Sequence, residues 1–232
     1  MDDLGTVLMI WAHPDDETYL VGGLSAVLTD AGHRVVCVTA TRGEAGMPDA
    51  APRQLDRLAQ VRTAELEAAL RILGIEEHHW LDYPDGGCAD VDTHEAADRI
   101  VAVVDDVRPD TVITFGPDGF TGHPDHQTVS RWTDLALTRA ATRPRLLHAV
   151  AREEVVDREL DEDFGVFELG RPRVCADHEL AVLLELEESM LDRKVEALLQ
   201  QVSQTGGLVE AVGLERFRAW VASESFAEPL AR

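Results

Sequence analysis

The stretch TVLMIWAHPDDE, residues 6–17, decides how this chain is read. Thr6 to Ala12 is a run of strand length without the alternation of a half-exposed strand, so it predicts a strand buried on both faces. The run ends in a histidine, a proline and three successive carboxylates, Asp15, Asp16 and Glu17. Acidic residues suit the first turn of a helix, where they complement its dipole. Adjacent aspartates in a partly buried site also repel each other, and a divalent cation is the simplest agent that keeps both ionised.

Outward from this strand, short β-branched runs alternate with longer amphipathic ones. TYLVGGLSAVLTDAGH (18–33) predicts a helix stopped by Ala31-Gly32-His33, and RVVCVTAT (34–41) predicts a second strand. QLDRLAQVRTAELEAALRILG (54–74) has apolar residues at 55, 58, 61, 66, 69, 70 and 73, a helical period closed by Gly74. HHWLDY (78–83) reads as a short strand before the turn Pro84-Asp85-Gly86-Gly87. A helix over 93–107 with Asp92 or Thr93 as N-cap, the strand DTVITFG (110–116), a helix over 126–141 and the strand RLLHAVA (145–151) follow. Parallel strands need crossovers and bury both faces, so this rhythm predicts an α/β fold, a Rossmann-like, mostly parallel sheet with helices on both faces.

After residue 151 the rhythm weakens. Residues 153–170 are acidic and irregular, a long helix is expected over 177–203, and a shorter one near 213–223. No repeat or Pro/Ser linker divides the chain, so a single domain over 1–232 is expected, with the part from about 152 an integral extension.

Ligands of open α/β sheets sit beyond the carboxyl ends of the strands. His13-Pro14-Asp15-Asp16-Glu17 lies there after the first strand, and His123-Pro124-Asp125-His126 lies there after strand 110–116. A histidine and a carboxylate from one loop, with a histidine from the other, make a three-ligand set for Zn²⁺ that leaves a fourth position to water. Zn²⁺ lowers the pKa of such a water to about 7, and a carboxylate beside it takes the proton. Fe²⁺ suits the same donors. His33, His78, His79, His94, His148 and His178 have no second metal-type neighbour and read as surface or packing residues, and Cys88 as a bystander after a Gly-Gly turn.

Composition narrows the partners. With 44 acidic against 21 basic residues the formal charge is −23, a field that repels phosphate backbones and anionic lipid, so neither nucleic acid nor a membrane surface is expected. The core should be aliphatic, since hydrophobic residues make up 45% of the chain and aromatics only 5%. Cys37, Cys88 and Cys175 are odd in number and lack a CxxC spacing, which points to a reducing, cytoplasmic setting. No run nears 18 apolar residues, and nothing in the sequence opposes a homo-oligomer.

At AHPDDE (12–17) and HPDH (123–126) the sequence resembles the LmbE-like, or PIG-L, family of zinc-dependent N-acetylglucosaminyl deacetylases and related amidases. Thr41–Gly46 is similar to the family's TxGExG loop, Arg62 to Glu65 to its R-x-x-E, and LDYPDGG (81–87) to a third loop. Lys194, Ala197-Leu198, Ser203-Gln204, Phe217 and Glu224-Ser225-Phe226 resemble its C-terminal pattern, except that Gln201 stands where the family often has histidine. The resemblance implies an LmbE-like fold with His13, Asp16 and His126 as zinc ligands and Asp15 as general base. It further implies that His123 steadies the oxyanion with Asp125 orienting it, that Arg62 and Asp85 face the substrate, that Arg42 and Glu44 line the same rim, and that Glu17 supports the loop. The activity it implies is removal of an N-acetyl group from a GlcNAc-type sugar or glycoside. The rival readings are an amidase of thiol conjugates or acylated natural products, and a non-catalytic metal- or nucleotide-binding module. Against the nucleotide-binding module, no GxGxxG follows the first strand.

Overall fold

A computed structural model describes residues 3–46, 51–152 and 164–230. Residues 153–163 of the acidic stretch lie outside the described residues. Strands β1 (Val7–Trp11), β2 (Val35–Thr41), β3 (Glu77–Tyr83), β4 (Thr111–Phe115) and β5 (Arg145–Ala149) pair in parallel in the order β3-β2-β1-β4-β5. Every residue of β1, β2 and β4 is buried, as their unbroken apolar runs require. Two further strands, β8 (Val182–Glu185) and β9 (Ser223–Ala227), extend the sheet antiparallel beyond β5, and β6 (Ala151–Arg152) pairs with β7 (Val174–Cys175) in a separate ribbon.

The helices fall into two groups. Helices α1 (Asp16–Asp30) and α2 (Pro52–Leu73) pack against α5 (Glu188–Gln200), and α3 (Thr93–Val107) packs against α4 (Pro124–Arg139). Right-handed crossovers running outward to either side of β1 produce this division. The chain works from β1 through β2 to β3 and then returns to β4 on β1's other flank. The strand order therefore reverses between β1 and β4, and both His-Pro-Asp loops leave the sheet at that switch point.

Local signals place most helix ends. Gly74 closes α2 at φ 78°, and the Asp92 carboxylate accepts the N–H groups of His94 and Glu95 to start α3. Helix α4 begins at Pro124, two residues before the expected 126, because His123 serves as its N-cap and accepts the N–H of Asp125 at 3.2 Å. Helix α1 likewise takes in Asp16 and Glu17 in its first turn.

The expected helix over 177–203 does not exist as one element. Residues 177–179 form a single 3₁₀ turn, β8 follows, and α5 starts only at Glu188. The apolar spacing around Leu180 to Leu186 fits either period, and pairing with β9, from Val182↔Phe226 to Glu185↔Ser223, makes it a strand. Gln201 then breaks the backbone before α6 (Val202–Val212). Of the expected helix near 213–223, α7 (Leu214–Trp220) forms and Ser223 already belongs to β9. No described helix is long and apolar enough to cross a membrane.

Candidate metal centre and active site

The loop after β1 reaches α1 through Asp15, whose φ of 106° is a conformation that side-chain-bearing residues rarely adopt. Such strain costs on the order of 1–3 kcal/mol and persists only where neighbours enforce it. Glu17, wholly buried, does so by accepting the N–H of Asp15 at 3.0 Å, and it is held in turn by the Thr18 hydroxyl at 2.6 Å and the Gln201 amide at 2.8 Å. Arg62 clamps the loop from the other side. Its guanidinium donates to the carbonyls of Pro14 at 2.5 Å and Gly43 at 2.8 Å and lies 3.4 Å from the Asp15 carboxylate. Gly43 is required for this, since a Cβ there would fall 2.3 Å from the guanidinium.

At the end of β4 the loop turns through Gly119, Phe120 and Gly122, all at positive φ, and delivers His123 and His126. His126 stacks on Phe115 of β4 with ring centres 4.2 Å apart. Its Nδ1 donates to the Gly119 carbonyl at 2.9 Å, which leaves the Nε2 lone pair facing His13. His13 is arranged in mirror fashion. Its Nε2 stands 3.0 Å from Asp85 and 3.3 Å from Asp125, so that nitrogen carries the proton and Nδ1 turns inward.

Three side chains thereby converge. His13 Nδ1 and His126 Nε2 are 3.0 Å apart, Asp16 Oδ2 is 3.8 Å from the first and Asp16 Oδ1 is 3.5 Å from the second. Ligands bound at about 2.0–2.2 Å around a tetrahedral ion stand roughly 3.3–3.6 Å from one another, so the set fits a divalent cation. Two imidazole lone pairs aimed at each other beside a carboxylate demand a positive charge between them. Burial pulls the His13 pKa down, but hydrogen bonds to Asp125 and Asp85 and the charge of Asp16 push it up to about 10. Burial holds the His126 pKa down at about 4. His123, at the mouth, also lies close enough for His13, His123 and His126 to form a three-histidine group.

Burial raises the Asp15 pKa to about 8, against the pull of Arg62 and with the push of Asp16 and Glu17. Burial and the charge of His13 lower the His123 pKa, and because its Nδ1 accepts the Asp125 N–H, the proton of the neutral imidazole resides on Nε2. A polar cavity of about 290 Å³ opens on this side, lined among others by Asp15, Arg62, Asp85, His123 and Gln204.

The remaining expected site residues divide. Asp85 lies at the centre: burial would raise its pKa, but His13 holds it down at about 2, and its other oxygen accepts the Ala45 N–H at 2.7 Å. Glu44 fastens the Asp85 loop, accepting the Asp85 N–H at 3.0 Å. Asp125 meets His123 through its backbone N–H, which donates to His123 Nδ1 at 3.2 Å, while its carboxylate turns elsewhere. That carboxylate faces His13 and accepts the N–H groups of Gly86 and Cys88, because the PDGG turn packs directly beneath it. Arg42 points away from the cavity, its guanidinium 3.9 Å over the Trp80 ring and paired with Asp82 at 2.8 Å. Edge strand β3 offers it a ring and a carboxylate that the rim does not. Glu65 does not pair with Arg62; its carboxylate takes both the N–H and the hydroxyl of Ser203.

A family model described as GlcNAc-PI de-N-acetylase, PIG-L, matches residues 8–137, the segment that carries both His-Pro-Asp loops. This chain belongs to the PIG-L family. It is 38% identical over 169 residues to a 1D-myo-inositol 2-acetamido-2-deoxy-alpha-D-glucopyranoside deacetylase of Kineococcus radiotolerans, an alignment covering 61% of this chain and 47% of that protein. A protein of the same name from Actinosynnema mirum is 30% identical over 227 residues, covering 85% of this chain and 80% of the relative. The chain thus spans only about half the length of the first of these relatives. Among solved structures, the N,N'-diacetylchitobiose deacetylase of Pyrococcus horikoshii superposes with a TM-score of 0.63 at 21% identity, over 97% of this chain and 84% of that one, a likeness of fold.

Within this PIG-L chain, two functional supports lie outside the matched segment. Gln201 donates to Glu17 where the family often has histidine, and a buried ion pair joins Lys194 to Glu224 at 2.8 Å. Glu224 also accepts the N–H groups of Gly23 and Leu24 in α1. The signal for this pair was a lone lysine among 20 arginines and a glutamate between Ser223 and Ser225, which only the folded chain brings together.

Proposed function

We propose that this protein is a metal-dependent N-deacetylase that hydrolyses the N-acetyl amide of a GlcNAc-type sugar or glycoside to the free amine and acetate. The observation that carries the reading is the convergence of His13 Nδ1, Asp16 and His126 Nε2 at 3.0–3.8 Å with Asp15 half-buried beside them. His13, Asp16 and His126 would hold the ion, Zn²⁺ foremost, with Fe²⁺ also suited to the donors. When bound, such an ion supplies a Lewis acid for a carbonyl oxygen and brings a water's pKa to about 7.

The chain's own groups supply the rest. Asp15 accepts the proton of the attacking water and returns it to the departing nitrogen, so that the amine leaves neutral. His123 presents its Nε2–H to the oxygen on which negative charge develops. Arg62, fixed by two carbonyls, holds Asp15 in place, and it faces the sugar with Asp85 across the polar cavity. Asp125 and Asp85 keep the outer nitrogen of His13 protonated and its inner one turned inward.

The test is to load the purified protein with Zn²⁺ and follow acetate and free amine from GlcNAc-inositol, GlcNAc-malate, chitobiose and S-conjugates of a sugar thiol. Stoichiometric acetate and amine from one of the first three is the expected result. An ion that binds tightly with no amide cleaved in any of them would instead make this a binding module.

A further inference from the structure

The same three residues border a second cavity. Asp15, Asp16 and His126 line both the polar pocket that holds Arg62 and Asp85 and another of about 290 Å³. This second wall is mostly apolar: Leu20, Phe120, Val150, Val166, Trp220 and Val221 face it, with Arg152 and Glu224 also in the lining. Phe120 is held there at φ 62°, a conformation favoured by glycine, so the β4 loop is strained in the act of presenting a ring to the cavity. Gly122 seats that loop, because a Cβ there would meet the Leu169 backbone at 2.4 Å.

The size is wrong for acetate alone. A cavity of 150 Å³ lined by aliphatic and aromatic side chains accommodates benzene, and this one has about twice that volume. An amide cleaved at His126 and Asp15 has two ends. Its sugar end matches the charged and hydrogen-bonding groups of the polar pocket, and its acyl end is then directed into the apolar one. We propose that the apolar cavity is an acyl-chain subsite, and that the protein acts on N-acyl amino sugars with chains of about six to eight carbons in preference to N-acetyl ones. This rests on the deacetylase reading and sharpens its substrate class. The reaction is unchanged: water adds to the amide carbonyl, the C–N bond breaks, and the products are the amino sugar and a medium-chain carboxylic acid in place of acetate.

The experiment compares kcat/KM for N-acetyl-, N-butanoyl-, N-hexanoyl- and N-octanoylglucosamine on the metal-loaded protein, with octyl glycosides of GlcNAc as a second arm. In parallel, calorimetry measures binding of the N-acetyl and N-octanoyl sugars. The expected result is a kcat/KM at least tenfold higher for hexanoyl than for acetyl, tighter binding of the longer chain, and an octanoyl-to-acetyl ratio that falls at least tenfold in Val221→Trp. Should Val221→Trp fail to fold, Leu20→Phe, at another residue of the lining, narrows the cavity and is read by the same ratio. A rate that falls steadily from acetyl onward overturns the proposal while leaving the deacetylase reading intact. So does a gain seen only with the octyl aglycone. If no chain length is hydrolysed the deacetylase reading fails, and the calorimetric comparison still decides whether the cavity prefers the longer acyl group.

Discussion

The parallel half of the sheet and the antiparallel extension contribute to the site in different ways. Strands β1 to β5 send loops whose side chains meet at the switch point, so His13, Asp15, Asp16, Asp85, His123 and His126 all come from the first 126 residues. The extension from β8 to β9 sends almost nothing to the polar cavity, with Gln204 the exception, and instead braces the loops from behind. Gln201 holds Glu17, Ser203 engages Glu65, and Lys194 with Glu224 grips the middle of α1. Chemistry and support are thus separated along the chain. Substitutions at the polar site should strike turnover or metal, and those at the bracing residues of the extension should strike stability first.

The largest expected effect tests the first part. Asp15→Asn should lower kcat by about 10²–10⁴, the usual worth of a positioned general base, with the bound ion retained. Metal analysis alongside steady-state kinetics reads both quantities. A variant with full activity would remove Asp15 from the chemistry, and the strained φ would be only a feature of the turn.

In the extension the counterpart is Lys194→Met. Both partners of the Lys194–Glu224 pair are at most 1% exposed, so removing one leaves an uncompensated buried charge. Urea unfolding should show a loss of about 3–5 kcal/mol. If the melt is unaltered while kcat collapses, the division between support and chemistry is misplaced.

Gln201 sits on the boundary and should show the smallest effect. Losing its hydrogen bond to the Glu17 carboxylate should reduce kcat roughly tenfold, about the size of one charge-assisted bond, with ion content unchanged. Gln201→His should recover most of the rate, since an imidazole N–H donates at the same place. Equal losses in Gln201→Ala and Gln201→His would show that backbone packing, and not the donor, is what matters there.

The two parts also differed in how far the sequence revealed them. The parallel half was legible because fully buried strands leave unbroken apolar runs and because His-Pro-Asp motifs mark strand ends. Even there, side-chain direction was not readable: Arg42 turned to Trp80 and Asp125 to His13, choices made by neighbours distant in sequence. In the extension the segment 177–203 was misread, since Val182 to Glu185 becomes a strand only through pairing with β9 some forty residues later. The resemblance marks Lys194, Glu224 and Gln201, but what each of them holds is set only when the fold places them behind α1. The apolar cavity was invisible for the same reason, because its walls come from α1, the β4 loop and the turn after α7.

The central claim is that His13, Asp16 and His126 hold one divalent ion between them. Its most direct test is the metal content of purified protein and of single variants after loading with Zn²⁺ and removal of excess. One equivalent is predicted for the unaltered chain, for Asp15→Asn and for His123→Ala, with loss in His13→Ala, Asp16→Ala and His126→Ala. Retention of the ion in Asp16→Ala together with its loss in His123→Ala would contradict the account and assign the ion to the three histidines.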